Sequence, residues 1–173
     1  MTNVFPLLSK YNRHVNDKLF ALLRTVPEAL IFENTGSFFT SIIGLLNHVL
    51  VSDLLWLNRY RKSGVSFLSL QHTALDFIYK GFNVLLFKDL LELQNRREQV
   101  DRVFSDFSEE LTDPILENEF VYTNTSGEEF RRVFWQVLLH VFNHQTHHRG
   151  QISQILDSHG VEHDFSNLNA LLS

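Results

Sequence analysis

Residues 129–160 read EFRRVFWQVLLHVFNHQTHHRGQISQILDSHG. Val133, Val137, Val141 and Ile155 recur at helical spacing, which predicts one long helix from about Glu129 to His159 with Gly160 as its stop. His140, His144 and His148 fall on the same face as those apolar residues. At about 100° per residue, His144 and His148 point within roughly 40° of each other, with Cβ atoms about 5–6 Å apart. That is close enough for two imidazoles to share one metal ion. A lone buried histidine is more often hydrogen-bonded packing than a ligand. Several neutral imidazoles turned into an apolar interior, however, all need partners, and a metal ion satisfies them together. His147 lies on the flank, about 60° from His144, and Gln151 returns to the histidine face. Arg149, about 140° away, reads as a surface or interface cation.

Working outward, three more segments carry the same periodicity. Val4, Leu7, Leu8, Tyr11, Val15, Leu19, Leu22, Leu23 and Val26 line one face of a first helix, which Pro27 ends. A second runs from about Ser37, a candidate cap, to about Arg61, before the Ser63–Gly64 break. A third opens at Asp89 with Glu92 three residues on, in the manner of a capping box, and runs to Asp113–Pro114. Residues 63–88 are too long for a turn and too apolar to stand in water, so they should pack on the helices as a long crossover. Phe120–Thr123, followed by Asn124–Gly127, suggests a short strand and turn. The expected fold is all-α: one four-helix bundle spanning residues 1–173, with its crossover between the second and third helices.

The chain has no cysteine, so a transition-metal site must be built from imidazole and carboxylate. A pair of histidines needs a third ligand from elsewhere. His48, alone among the histidines in the second helix and midway along an apolar stretch, is the candidate; Asp53 and Asp17 are weaker alternatives that read better as water-facing or capping groups. The second helix is apolar nearly all round, so its pattern leaves open which side meets the fourth. His14, His72, His159 and His163 read as surface residues. Trp135, Leu138 and Phe142 make the fourth helix apolar opposite its histidines as well, from which a homodimer is expected.

The net charge of −5 argues against a nucleic-acid partner. Asn47, His48 and Asp53 interrupt the most apolar window, Phe38–Leu57, which argues against a membrane span. MTNVFPLLSKYNRH lacks the pattern of a signal peptide, and a cytoplasmic location is expected.

YNRHVNDKLFALL near the start, LLNHVLVSDLLWLNRY in the second helix and above all NHQTHHRGQ in the fourth are similar to the DinB/YfiT-like group of four-helix-bundle metalloproteins. The resemblance covers nearly the whole chain. It implies an up-down-down-up course, a homodimer, and a divalent metal held by one histidine of the second helix and an HxxxH pair of the fourth, here His48, His144 and His148. Some members of that group are thiol S-transferases or amidohydrolases that use low-molecular-weight thiols. The expected function is accordingly that of a metal-dependent enzyme, a hydrolase or thiol transferase acting on a small molecule, with Zn or Ni (Fe as a third option) and three protein ligands leaving open positions. The alternative is a non-catalytic metal-binding or stress-response dimer. His140, His147 and Gln151 are acid–base candidates by proximity. Ordinary imidazoles would protonate and release an ion below about pH 6.

Overall fold

The computed structural model describes residues 3–172. Four long helices carry it: α1 (Val4–Leu23), α3 (Ile42–Arg61), α4 (Leu90–Glu109) and α6 (Phe134–Ser158). Short helices α2 (Glu28–Phe32) and α5 (Asp113–Glu117) lie in the connections, with a hairpin of β1 (Glu119–Thr123) and β2 (Glu129–Val133) before α6.

Side-chain contacts fix the course of the chain. Asn16 of α1 reaches Asp101 of α4, whereas Arg24 reaches Gln94, so these helices are antiparallel. Tyr60 of α3 bonds the Val137 carbonyl of α6 and His48 meets His144, which makes that pair antiparallel too. Asp53 pairs with Arg97 and Tyr60 stacks on Phe107, so α3 and α4 run parallel. Phe5 against Phe142 and Asn12 against Arg149 make α1 and α6 parallel. The result is the up-down-down-up bundle that the family resemblance implies, and it requires a long return between α3 and α4, as residues 63–88 suggested.

That return contains only two 3₁₀ turns, Ser69–Gln71 and Thr73–Leu75. It is held by buried Phe67, Leu70 and Leu75 and by side chains that satisfy its backbone. The Glu110 carboxylate accepts the Leu68 and Ser69 N–H groups at 2.7 and 2.8 Å. Asn47 both donates to the Phe87 carbonyl and accepts its N–H.

Helix ends follow local chemistry. The Asp89 carboxylate accepts the Glu92 N–H at 2.8 Å, as the DxxE spacing predicts. Beyond α6, Gly160 takes φ +67° and the Val161 N–H bonds the Leu156 carbonyl, the glycine stop read from the sequence. Two expected boundaries move. Ser41, not Ser37, caps α3, its Oγ accepting the Gly44 N–H at 3.2 Å. Residues 129–133 are strand rather than the first turns of α6, paired antiparallel with residues 119–123 in the register Glu119 opposite Val133. Asn124 accepts the Ser126 and Glu128 N–H groups across the turn, and that turn chemistry outweighs the helical spacing of Val133. Asp113–Pro114, expected to end the third helix, instead opens α5, where proline is accommodated in the first turn.

Leu138 and Phe142 are buried by the chain itself, Phe142 between Phe5 and Phe104. Trp135, on the same side of α6, is half-buried. Among the described residues no helix is long and apolar enough to cross a membrane.

A charged network lies between the four helices. Arg97 sits 2.5 Å from Asp53 and 2.8 Å from Asp101; Gln145 donates to Asp53 at 2.8 Å and Asn16 to Asp101 at 2.9 Å. All of these side chains are buried, and so is Arg149, which bonds Asn12. Asp53 therefore neither faces water nor caps a neighbour, and Arg149 is no surface cation. Burial works against the Arg97 charge, but Asp101 and Asp53 beside it outweigh that cost and hold it charged. Removing one partner strands the others without solvent. Arg97→Ala should cost about 3–5 kcal/mol in urea unfolding. Arg102→Ala, at an exposed pair with Glu98, should leave the midpoint near wild type.

Candidate metal centre

His48 lies in the second turn of α3 and His144 and His148 one turn apart on α6, so the antiparallel packing of these helices brings three imidazoles together. Nε2 of His144 is 3.1 Å from Nε2 of His48 and 3.0 Å from Nε2 of His148. One nitrogen from each residue lies within 4.8 Å of the others. Tetrahedral coordination at a zinc–nitrogen distance of about 2.05 Å would separate neighbouring nitrogens by about 3.3 Å, so small ring adjustments suffice to seat an ion. A single N–H on His144 Nε2 can serve one of these contacts well but not both, whereas one ion would satisfy all three nitrogens. The residues present therefore fit a divalent metal.

The surroundings hold the rings in place and keep them neutral. His148 Nδ1 is 2.7 Å from the Gln151 Oε1, which can only accept there; the proton sits on Nδ1 and leaves the Nε2 lone pair free. Phe39 stacks on His48 at 3.8 Å between centroids, Phe82 meets it edge-on at 5.6 Å, and Phe39 also meets His148 edge-on. The turn that presents Phe39 depends on glycine. A Cβ at Gly44 would stand 1.9 Å from the Phe39 carbonyl oxygen, and Thr40 takes φ +62°, a rare conformation for a β-branched residue. Burial, followed by the neighbouring His148, lowers His48 from 6.5 to about 4, with the Phe82 main chain opposing the shift. Burial and then the adjacent imidazoles lower His144 to about 3, and His148 is lowered too, by burial first. The rings are thus neutral across the physiological range.

One side of the site is open. A cavity of about 290 Å³ lies over His48 and His144, walled by Phe38, Phe39, Phe82 and Trp56, with Ser52, His140 and Arg59 contributing the remaining polar groups. His140 is exposed rather than facing the interior, 6.1 Å from His144 between ring centroids. His147 is exposed beside His148 and does not line the cavity; Gln151 supports His148. Asp53 is held by Arg97 and Gln145, and Asp17 is exposed on α1, its acidity weakened by burial and by Asp101; neither belongs to the site. Of the remaining histidines, His72 and His159 are exposed as expected, whereas His14 and His163 are half-buried. Phe39, Phe82 and Arg59 escaped the sequence reading. Gly44, three residues after the capping Ser41, is the signal that could have found the first of them.

An up-down-down-up helical bundle with three imidazoles converging between α3 and α6 belongs to the class of bundle proteins that carry a histidine site suited to a metal. Residues 1–170 match the model of the DinB family, and the chain belongs to that family. It is 28% identical over 156 residues to Protein DinB of Bacillus subtilis (strain 168), an alignment covering 88% of this chain and 84% of that protein. No solved structure matches the chain.

The lowered histidines make the metal-free fold acid-sensitive. The unfolded chain takes up protons near the ordinary value of 6.5, whereas folded His48 and His144 wait until about 4 and about 3. Between those limits the unfolded state binds more protons, so stability falls as pH falls. The urea midpoint of metal-free protein should decline from pH 6.5 to pH 4 more steeply than that of the His48→Phe/His144→Phe variant. Equal slopes would place these rings in water.

Proposed function

We propose that this chain is a metal-dependent enzyme that holds one divalent ion on His48, His144 and His148 and acts on a small molecule seated in the adjoining cavity. The observation that carries this reading is the convergence of three Nε2 atoms with one side left open to that cavity. A closed site would suit the non-catalytic alternative; the cavity argues against it. Three neutral imidazoles favour Zn or Ni, with Fe next. When bound, such an ion supplies Lewis acidity and lowers the pKa of a water or a thiol.

With no carboxylate among its ligands, the site leaves a dipositive charge uncompensated and favours an anionic ligand, a soft thiolate above most. The chemistry is then hydrolysis or S-transfer with a low-molecular-weight thiol, in a cytoplasm where thiols stay reduced. His140, on the cavity wall 6.1 Å from His144, is the group best placed to carry a proton to or from the substrate. The aromatic wall excludes water from one side of the site.

Purified protein should contain close to one divalent ion per chain, measured by elemental analysis. His144→Ala/His148→Ala should remove it, and His48→Ala should weaken retention by about 10-fold to 100-fold or more while the helical circular dichroism stays intact. With Co²⁺ bound, a small thiol should raise a sulfur-to-cobalt charge-transfer band, more strongly as pH approaches the thiol's own value of about 8.5. An occupied cobalt site with no band at any pH would sink S-transfer and leave hydrolysis.

A further inference from the structure

The chain carries a net charge of −5, yet among the described residues no acidic side chain lines the cavity over the histidines or the two that adjoin it. What those cavities do contain is cationic. Arg59 lies between the histidine cavity and a neighbouring one of about 420 Å³ that also holds Lys62. Arg132 lines the third, which shares Trp56 and His140 with the first.

Arg59 stands eleven residues beyond His48 on α3. That is about three turns, so the two side chains project within about 20° of each other, roughly 16 Å apart along the axis. Helical side chains lean toward the N-terminus, which brings the Arg59 head back toward the site.

The guanidinium is positioned without being neutralised. Its central carbon lies 4.4 Å from the Trp56 ring centroid and 5.4 Å from that of Tyr122, and its Nε donates to the Thr123 carbonyl at 3.2 Å. These contacts fix its plane while sparing both terminal nitrogens. Among the described residues no carboxylate forms an ion pair with it, unlike Arg61, Arg97, Arg102 and Arg131. The groups around it are tyrosines, and half-burial lowers its pKa from the usual value. A half-buried, stacked guanidinium with free donors is a receptor for an oxyanion.

We propose that Arg59 is the specificity-determining residue of this site, receiving a carboxylate or phosphate-type oxyanion on a substrate whose reacting group lies at the three histidines. The inference rests on the histidine cavity being the substrate site. It defines the substrate class as an elongated anion with an apolar middle, passing Trp56 and Phe82. The distance left between Arg59 and the histidines is on the order of 10 Å, about three extended peptide residues.

The test uses Trp56, on which Arg59 rests, as the reporter. The chain has one other tryptophan, so Trp135→Phe isolates the signal. Co²⁺-loaded protein is titrated with 8-mercaptooctanoate, 8-mercaptooctanamide and the corresponding ω-mercaptoalkyl phosphonate, following Trp56 quenching and the sulfur–cobalt band separately. At least one anion should bind about tenfold tighter than the amide by quenching, and the tighter anion names the oxyanion. Arg59→Gln should erase that preference, and Arg59→Lys should restore part of it. Equal affinity of both anions and the amide in the unaltered site overturns the proposal, as does a preference that survives Arg59→Gln. If the anion preference holds in quenching but no ligand gives the band, the reading of the histidines fails and Arg59 stands. If the band appears equally with every ligand and quenching shows no preference, the reverse is true.

Discussion

Arg97 is a guanidinium closed inside a helical bundle, and the arrangement of the other helices follows from the need to keep it paired. Isolated in the interior, its charge would be prohibitive. It is tolerable because Asp53 arrives from α3 and Asp101 from its own helix, while Gln145 of α6 and Asn16 of α1 bond those carboxylates in turn. Every long helix contributes, so no helix can shift without breaking a buried polar contact. Such networks add little net stability over an apolar core, because desolvation consumes most of the attraction. What this one adds is register. Sliding α6 one turn along α3 would move it about 5.4 Å, carrying Gln145 away from Asp53.

The same slide would carry His144 away from His48, and this links the folding constraint to the histidine site. Gln145 directly follows His144, and Asp53 follows His48 by five residues, so the two contacts between α3 and α6 are set together. Nitrogens that meet at 3.0–3.1 Å tolerate only fractions of an ångström of misplacement if they are to share one ion. A packed apolar seam alone, made of interchangeable Leu and Ile, would hold that register less strictly. The Phe39 turn adds a second restraint: Gly44 lets the chain lie against the first turn of α3, so the ring that stacks on His48 is held against the helix that carries His48.

Legibility in the sequence was uneven for physical reasons. Helical periodicity located α1, α4 and α6 because each buries an apolar stripe, and α3 was readable as a long apolar run; the Asp89 cap and Gly160 stop were readable because their chemistry is local. His144 and His148 could be paired from spacing alone, being on one helix. His48 could not be oriented, since Ile42–Leu54 is buried continuously and shows no polar face. It was legible as a candidate third ligand because it is the one histidine in that apolar run, and the motif resemblance agreed. Asp53 and Arg149 were misread because their partners lie on other helices, where no wheel projection reaches. The start of α6 was misplaced because the strand at residues 129–133 exists through pairing with residues 119–123, a non-local contact. Arg59 was missed for a similar reason: the carbonyl and one of the rings that position it come from the hairpin.

α3 therefore presents two kinds of charge in two directions. Asp53 projects about 140° from His48 around the helix and is enclosed with Arg97; Arg59 projects about 20° from His48, on the cavity side, and forms no ion pair with a carboxylate of the described residues. The interior charge is paired because a folding protein has no water to offer it. The cavity charge is left unpaired although the chain has a surplus of acidic residues from which a partner could have been drawn. Holding Arg59 without a counter-ion costs some stability, since half-burial disfavours its charge. A bound anion recovers that cost only when a ligand is present, so the unpaired charge contributes to selecting a ligand rather than to folding.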